Sequence, residues 1–158
     1  MTNEKFTRLV MKYTDTVFRV ALNIVKSPSA AEDVCQEVFL RLWKNKSDFT
    51  DDQNAKYWLI RVAINEGRRS IASKWNKYEN LDDYEEKLSF QTTEMSDLFY
   101  SVMNLPRKYR IVLYLYYYEG YSTAEISKLL SSSEAAVRTQ LHRGRELLKK
   151  DILEAENV

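Results

Sequence analysis

Apolar residues recur at helical spacing along most of this chain. Phe6, Leu9, Val10, Tyr13, Val17, Val20, Ala21 and Ile24 share one stripe about 120° wide, which predicts an amphipathic first helix. Ser27-Pro28 interrupts it. Ser29 and Glu32 then have capping-box spacing, in which a hydroxyl and a carboxylate satisfy the free N–H groups of a helix start. They predict a second helix through about Asn45, with Val34, Cys35, Val38, Phe39 and Leu42 inward. After a polar loop over 47–53, a third helix is expected from Asn54 to about Trp75. Its core stripe is Leu59, Ile60, Ala63, Ile64, Gly67 and Ile71.

Residues 76–95 are polar and acidic and read as a linker, with one continuous domain as the other reading. Helical periodicity resumes near Met95 with Leu98, Val102 and Leu105, and Pro106 opens a further helix. The run Leu113 to Tyr118 has strand composition, but its helical surroundings favour helix. Gly120 can end that helix because it tolerates positive φ. Ser122 and Glu125 form a second capping-box pair, and Ile126, Leu129 and Leu130 make one apolar side. Ser131-Ser132-Ser133 breaks this helix and caps a longer one from Glu134. In that last helix Val137, Leu141, Gly144 and Leu148 form the inner stripe, with Gly144 permitting close helix approach. Ala135, Arg138, Thr139, His142, Arg143 and Lys149 point away from it.

The expected fold is therefore all-α: a helical module over 1–75, a flexible acidic linker over 76–95, and a helix-turn-helix module over 96–158. Three glycines and two prolines in 158 residues argue against a turn-rich β fold. The net charge of +1 hides segregation. Arg61, Arg68, Arg69, Lys74 and Lys77 stand against Glu66 alone, whereas Glu79, Asp82, Asp83, Glu85 and Glu86 have no base among them. Any nucleic-acid binding must come from local patches and weaken as salt rises. Cys35 is the one cysteine, so no intramolecular disulfide forms and a buried, inert thiol is expected. No apolar run is long enough to span a membrane, and a cytoplasmic protein is the simplest expectation. No zinc spacing, phosphate-binding glycine loop or nucleophile elbow is present, and His142 is the only histidine. Neither an enzyme, nor a metal, nor a cofactor is indicated.

Three surfaces stand out. The small and basic outward side of the last helix suits a duplex major groove with phosphate contacts, against the alternative of a solvated basic helix. On the third helix Trp58, Arg61, Val62, Asn65, Arg68 and Arg69 lie opposite the core stripe. A ring to support an unstacked base, an amide for a base edge and cations for phosphates suit single-stranded nucleic acid. Packing of Trp58 and Val62 under the first helix fits equally well. On the second helix Asp33, Gln36, Glu37, Leu40 and Trp43 face away from Val38 and Leu42. An apolar centre with an acidic rim suits a protein interface; burial of Leu40 and Trp43 against neighbouring helices is the alternative.

Ala31-Glu32-Asp33-Val34-Cys35-Gln36-Glu37-Val38-Phe39-Leu40-Arg41-Leu42-Trp43 closely resembles the core-polymerase-binding segment of bacterial RNA polymerase sigma factors. Trp58-Leu59-Ile60-Arg61-Val62-Ala63-Ile64-Asn65 resembles the segment that opens and reads the minus-ten element. Leu105-Pro106-Arg107-Lys108-Tyr109-Arg110 and the stretch from Tyr121 to Arg145 resemble the module that binds the minus-thirty-five element. Their order and spacing are similar to those of an extracytoplasmic-function sigma factor. The chain departs from the family pattern at Ile64, where an Arg is frequent, at Arg69, where an acid is frequent, and at Gln140, where a base is frequent.

The resemblance implies a polymerase contact at Asp33, Gln36, Glu37, Leu40 and Trp43. It implies melted minus-ten DNA at Trp58, Arg61, Asn65, Arg68 and Arg69. It implies minus-thirty-five duplex at Ser133, Ala135, Arg138, Thr139, His142 and Arg143. Core RNA polymerase, promoter DNA and an inhibitory anti-sigma protein are the implied partners, with catalysis left to the polymerase. A helix-turn-helix regulator acting without polymerase is the alternative from another class, and a helical nucleic-acid-processing enzyme is a more remote one.

Overall fold

The computed structural model describes residues 1–45, 48–75 and 97–156, and within them all regular structure is helical. The chain divides into two compact units, Met1–Leu88 and Ser89–Val158. The expected linker over 76–95 lies outside the described residues.

The first unit is a bundle of α1 (Asn3–Val25), α2 (Pro28–Lys44) and α3 (Asp52–Trp75), each packed on the other two. Thr2 caps α1, and Lys26 closes it in a left-handed conformation with its N–H on the Leu22 carbonyl. The predicted stripe is the buried one: Leu9, Val17, Val20 and Ala21 are fully enclosed, with Phe6 and Val10 half-buried at its edge. Val34, Val38 and Leu42 from α2 and Leu59, Ile60, Ala63 and Ile64 from α3 complete the core.

The start of α2 differs from the expectation. Ser27, not Ser29, is the N-cap, its hydroxyl accepting from the Ala30 N–H, while Ser29 pairs with the Ser27 hydroxyl at 3.1 Å. Pro28 explains the shift, since it lacks an N–H, has helix-like φ and so favours the first helical position. The α3 start also comes earlier than expected. Asp51 accepts from the Asn54 N–H at 2.8 Å and frees the helix to begin at Asp52. Asp52 in turn binds Arg8 at 2.7 Å and Lys12 at 2.8 Å, fastening α3 to α1. Hydrogen bonds from Arg8 and then Lys12 pull its carboxyl down to about 2.

Gly67 lies where α3 crosses α1. A β-carbon there would come within 2.9 Å of Ile24 Cγ2 and 3.0 Å of Ile24 Cβ. Those atoms sit close to the α1 backbone and cannot swing aside.

The second unit holds α4 (Asp97–Met103), α5 (Arg107–Tyr117), α6 (Thr123–Leu130) and α7 (Glu134–Glu156). Pro106 is the N-cap of α5 rather than its first helical residue. The ambiguous Leu113–Tyr118 run is helical through Tyr117. Ile111 through Leu115 are all buried, because α5 contacts α4, α6 and α7. Tyr114 keeps its hydroxyl satisfied by donating to Glu119 at 2.7 Å. One apolar assignment was a residue off: Phe99 and Met103 face inward, whereas Leu98 is 45% exposed.

Gly67→Ala should destabilise the first unit by about 1–2 kcal/mol, the overpacking cost exceeding the helix-propensity gain of about 1 kcal/mol. The penalty should shrink in an Ile24→Ala background. Urea unfolding of the single and double variants measures both, and an equal Gly67→Ala effect in the two backgrounds would contradict the crossing.

Candidate functional site

The helix-turn-helix is assembled by local capping. The Ser122 hydroxyl accepts from the Glu125 N–H at 3.1 Å, and the Glu125 carboxylate accepts from the Ser122 N–H at 3.0 Å. Before it, Gly120 takes φ +73° and lets the Tyr121 N–H reach the Leu115 carbonyl at 3.1 Å. After α6, Ser131 is left-handed and the Ser132 N–H bonds the Ser127 carbonyl at 2.9 Å. Ser133 then caps α7 by accepting from the Ala136 N–H at 3.1 Å. Thr123 donates to Glu134 at 3.0 Å, joining the first turns of the two helices.

Helix α7 turns Val137 and Leu141 inward. Gly144 lets α5 approach, since a β-carbon there would lie 3.1 Å from Leu113 Cδ1 and 3.2 Å from Tyr109 Cβ. Ser133, Ala135, Arg138, Thr139, His142 and Arg143 are all exposed. Several have partners on α7: Arg138 pairs with Glu134 at 3.0 Å, His142 with Glu146 at 3.2 Å, and Thr139 donates to the Ala135 carbonyl at 3.1 Å. Such exposed ion pairs contribute little to stability. Sequence reasoning did not single out Lys108 and Tyr109. They flank a recess of 320 Å³ that also takes in Ala135, Thr139, Gln140 and Arg143. Their signal was present in the Leu105–Arg110 motif.

Arg145, by contrast, is taken by aromatic rings. Its guanidinium lies 5.4 and 5.5 Å from the Tyr116 and Tyr117 ring centres, and its Nε donates to the Tyr117 hydroxyl at 2.5 Å. It borders an apolar groove of 340 Å³ that includes Leu98, Tyr117, Ile152 and Leu153. No local pattern announces this groove, which needs α4, α5 and α7 side by side.

On α3, Asn65, Arg68 and Arg69 are exposed, and Trp58, Arg61 and Val62 are half-buried. Trp58 packs on Phe49 with ring centres 5.7 Å apart, so its burial comes partly from the loop before α3. Partial desolvation, and then the neighbouring Arg61 charge, push the Arg68 guanidinium below its usual value although the residue is exposed as a whole. The residue that sequence reasoning missed is Glu66. It is 8% exposed, 2.6 Å from Arg41 of α2 and 3.6 Å from Arg69. Its signal was its place as the single acid in the basic run.

On α2, Asp33 and Gln36 are exposed, Glu37 is half-buried, and Leu40 and Trp43 are 46% and 51% exposed. These two are not buried by neighbouring helices, although Trp43 rests one edge on Phe6 at 5.0 Å between ring centres. Glu37 pairs with Arg41 at 3.3 Å. This leaves a surface with an apolar centre and a polar, acidic border. Cys35 is half-buried, and desolvation followed by the Glu32 charge pushes its thiol up to about 12, which removes it as a nucleophile. None of the described helices is long and apolar enough to cross a membrane.

Residues 9–77 match the family model of sigma-70 region 2, and residues 101–148 match that of sigma-70 region 4. The sigma factor SigW of Bacillus subtilis, of the extracytoplasmic-function group, is 28% identical over 94% of this chain and 89% of its own length. SigM of the same organism and group is 30% identical over 87% of this chain and 88% of its own. Among solved structures, the sigma factor RpoE of Bartonella quintana, in complex with the anti-sigma factor NepR, is similar in fold. Its TM-score is 0.73 at 16% identity, covering 93% of this chain and 96% of that one.

Val137→Asp should unfold the second unit, because it places an unpaired charge at a fully enclosed position. Far-ultraviolet circular dichroism should show the loss of part of the helix signal. A variant with wild-type helicity and melting behaviour would contradict the inward assignment of Val137.

Proposed function

The chain belongs to the extracytoplasmic-function family of bacterial RNA polymerase sigma factors, and we propose which of its surfaces does each part of that work. It directs core RNA polymerase to promoters and takes part in opening the minus-ten DNA. The match to sigma-70 region 2 sets aside a regulator acting without polymerase. Catalysis belongs to the polymerase, since sigma factors are initiation factors without a reaction of their own.

The outward face of α2, with Asp33, Gln36, Glu37, Leu40 and Trp43, takes the polymerase. The observation that supports this reading is the exposure of Leu40 and Trp43 on a helix whose opposite face is fully packed. A half-exposed Leu and Trp bordered by Asp33, Gln36 and Glu37 is the arrangement of a protein contact with an apolar anchor. The outward face of α3 takes the melted strand: Asn65 meets a base edge, Arg61, Arg68 and Arg69 meet phosphates, and the Trp58 ring borders the base. Ser133, Ala135, Arg138, Thr139, His142 and Arg143 take the upstream duplex, with α7 entering the major groove. Residues 1–75 and 96–158 serve as the two working modules, joined through 76–95.

Binding at two weak DNA sites held on one enzyme raises effective concentration, which suits a chain of net charge +1. An anti-sigma protein is the regulatory partner on this reading, as the solved complex of RpoE with NepR suggests. The protein works in the cytoplasm, where its polymerase is.

Replacing Gln36 and Leu40 together with Ala should weaken core-polymerase binding by about 1–2 kcal/mol with helicity unchanged. Asn65→Ala should leave polymerase affinity intact and slow open-complex formation on duplex promoter, with recovery on a pre-melted template. Polymerase titrations and permanganate footprinting check the two. Wild-type polymerase binding by the folded Gln36/Leu40 variant would overturn the α2 assignment. An Asn65 defect that persists on pre-melted DNA, or no defect at all, would overturn its strand-capture role.

A further inference from the structure

Glu66 is the only acid between Arg61 and Trp75, a stretch that also carries Arg68, Arg69 and Lys74. Its side chain is 9% exposed. A carboxylate so buried requires a partner, and it has two of very different quality. Arg41, reaching across from α2, is 2.6 Å away, a close ion pair held by charge attraction, although the Oε1 atom lacks an aligned hydrogen bond. Arg69, one turn along α3, is 3.6 Å from the same oxygen, beyond hydrogen-bond range. The Arg69 side chain is 71% exposed, whereas that of Arg41 is 38% exposed.

The two partners therefore do different work. Losing Arg41 would leave a buried charge unpaired. Losing Arg69 leaves the carboxylate still paired and gives up only a weak, solvent-screened attraction. Arg69 also follows Asn65 by four residues, so the two are neighbours on the helix surface.

We propose that Glu66 is a positioning residue that stays bound to Arg41 and holds Arg69 beside Asn65 until a strand phosphate takes Arg69 over. This deepens the reading of α3 as the melted-strand surface and rests on it. Before the strand arrives, Glu66 offsets one cation of the basic face and so lowers its hold on any polyanion. When a phosphate arrives, it offers Arg69 a bidentate partner in place of a single distant oxygen. The α2–α3 pair is untouched by the exchange, so strand capture need not disturb the polymerase-facing helix.

The test is binding of a fluorescent oligothymidine by the full chain across a salt series. Glu66→Gln keeps the shape and an acceptor for Arg41 but removes the charge. It should bind about 1.5- to 5-fold more tightly at low salt, with the log–log salt slope steeper by about 0.7. Both gains should vanish when Arg69→Ala is added. If Arg69→Ala weakens binding but Glu66→Gln binds no more tightly than wild type, Glu66 is only a structural partner of Arg41. The proposal then fails while the strand reading of α3 stands. If Arg69→Ala leaves binding unchanged, Arg69 does not meet the strand, and the proposal falls together with that part of the reading. A measurement on the wild-type chain does not depend on the variant folding. The Arg69 side-chain Nε–H resonance should shift on adding oligothymidine while that of Arg41 stays in place. A shift of Arg41, or none of Arg69, would overturn the exchange.

Discussion

Two close helix crossings, each at a glycine, set the geometry of both units. Gly67 brings α3 onto Ile24 of α1, and Gly144 brings α7 onto Leu113 and Tyr109 of α5. At each crossing the neighbouring side chains of the same stripe are enclosed: Ala63 and Ile64 on α3, Val137 and Leu141 on α7. With those stripes fixed inward, the rotation of each helix is fixed as well. Asn65, Arg68 and Arg69 must then lie outside on α3, and Arg138, Thr139, His142 and Arg143 on α7. Surface chemistry follows from core packing, because a helix buried on one side has no freedom in what it shows on the other.

Much of this was legible because the relevant rules are local. The Ser122–Glu125 capping box, the three-serine break and the stripe through Val137 and Leu141 depend on spacings of three or four residues. Gly144 was readable as a close approach because a glycine inside a helix otherwise costs stability. The misses were of two kinds. Ser27 displaced Ser29 as the α2 cap because proline chemistry outweighed a matching pair of side chains. Leu98 lies outside and Phe99 inside because a seven-residue helix has too few apolar positions to define its face. Glu66 and Arg145 were missed for a different reason. Their partners, Arg41 and the Tyr116–Tyr117 rings, are 25 or more residues away in sequence, and no periodicity brings them together.

The same division of labour makes sense of the function. A sigma factor must hold a large enzyme firmly and DNA reversibly. On the present assignment the firm contact is apolar, through Leu40 and Trp43, and so depends little on salt. The DNA-facing side chains of that assignment are exposed, and several already have an acid beside them: Arg138 with Glu134, His142 with Glu146, Arg69 with Glu66. On that assignment each such pair would lower affinity for non-promoter DNA without blocking a correctly placed phosphate. On the same assignment a near-neutral chain would gain its selectivity from two weak DNA sites used together on one polymerase.

The most direct test of this account is in vitro transcription by core RNA polymerase supplied with the full chain, on a library of genomic promoters. Transcripts are expected from a limited set of promoters that share two spaced sequence elements. Asn65→Ala should lose output on duplex but not pre-melted templates, while Arg138 and Arg143 variants should alter the upstream preference. Transcription without promoter selectivity, or selective duplex binding by the chain with no stimulation of the polymerase, would contradict it.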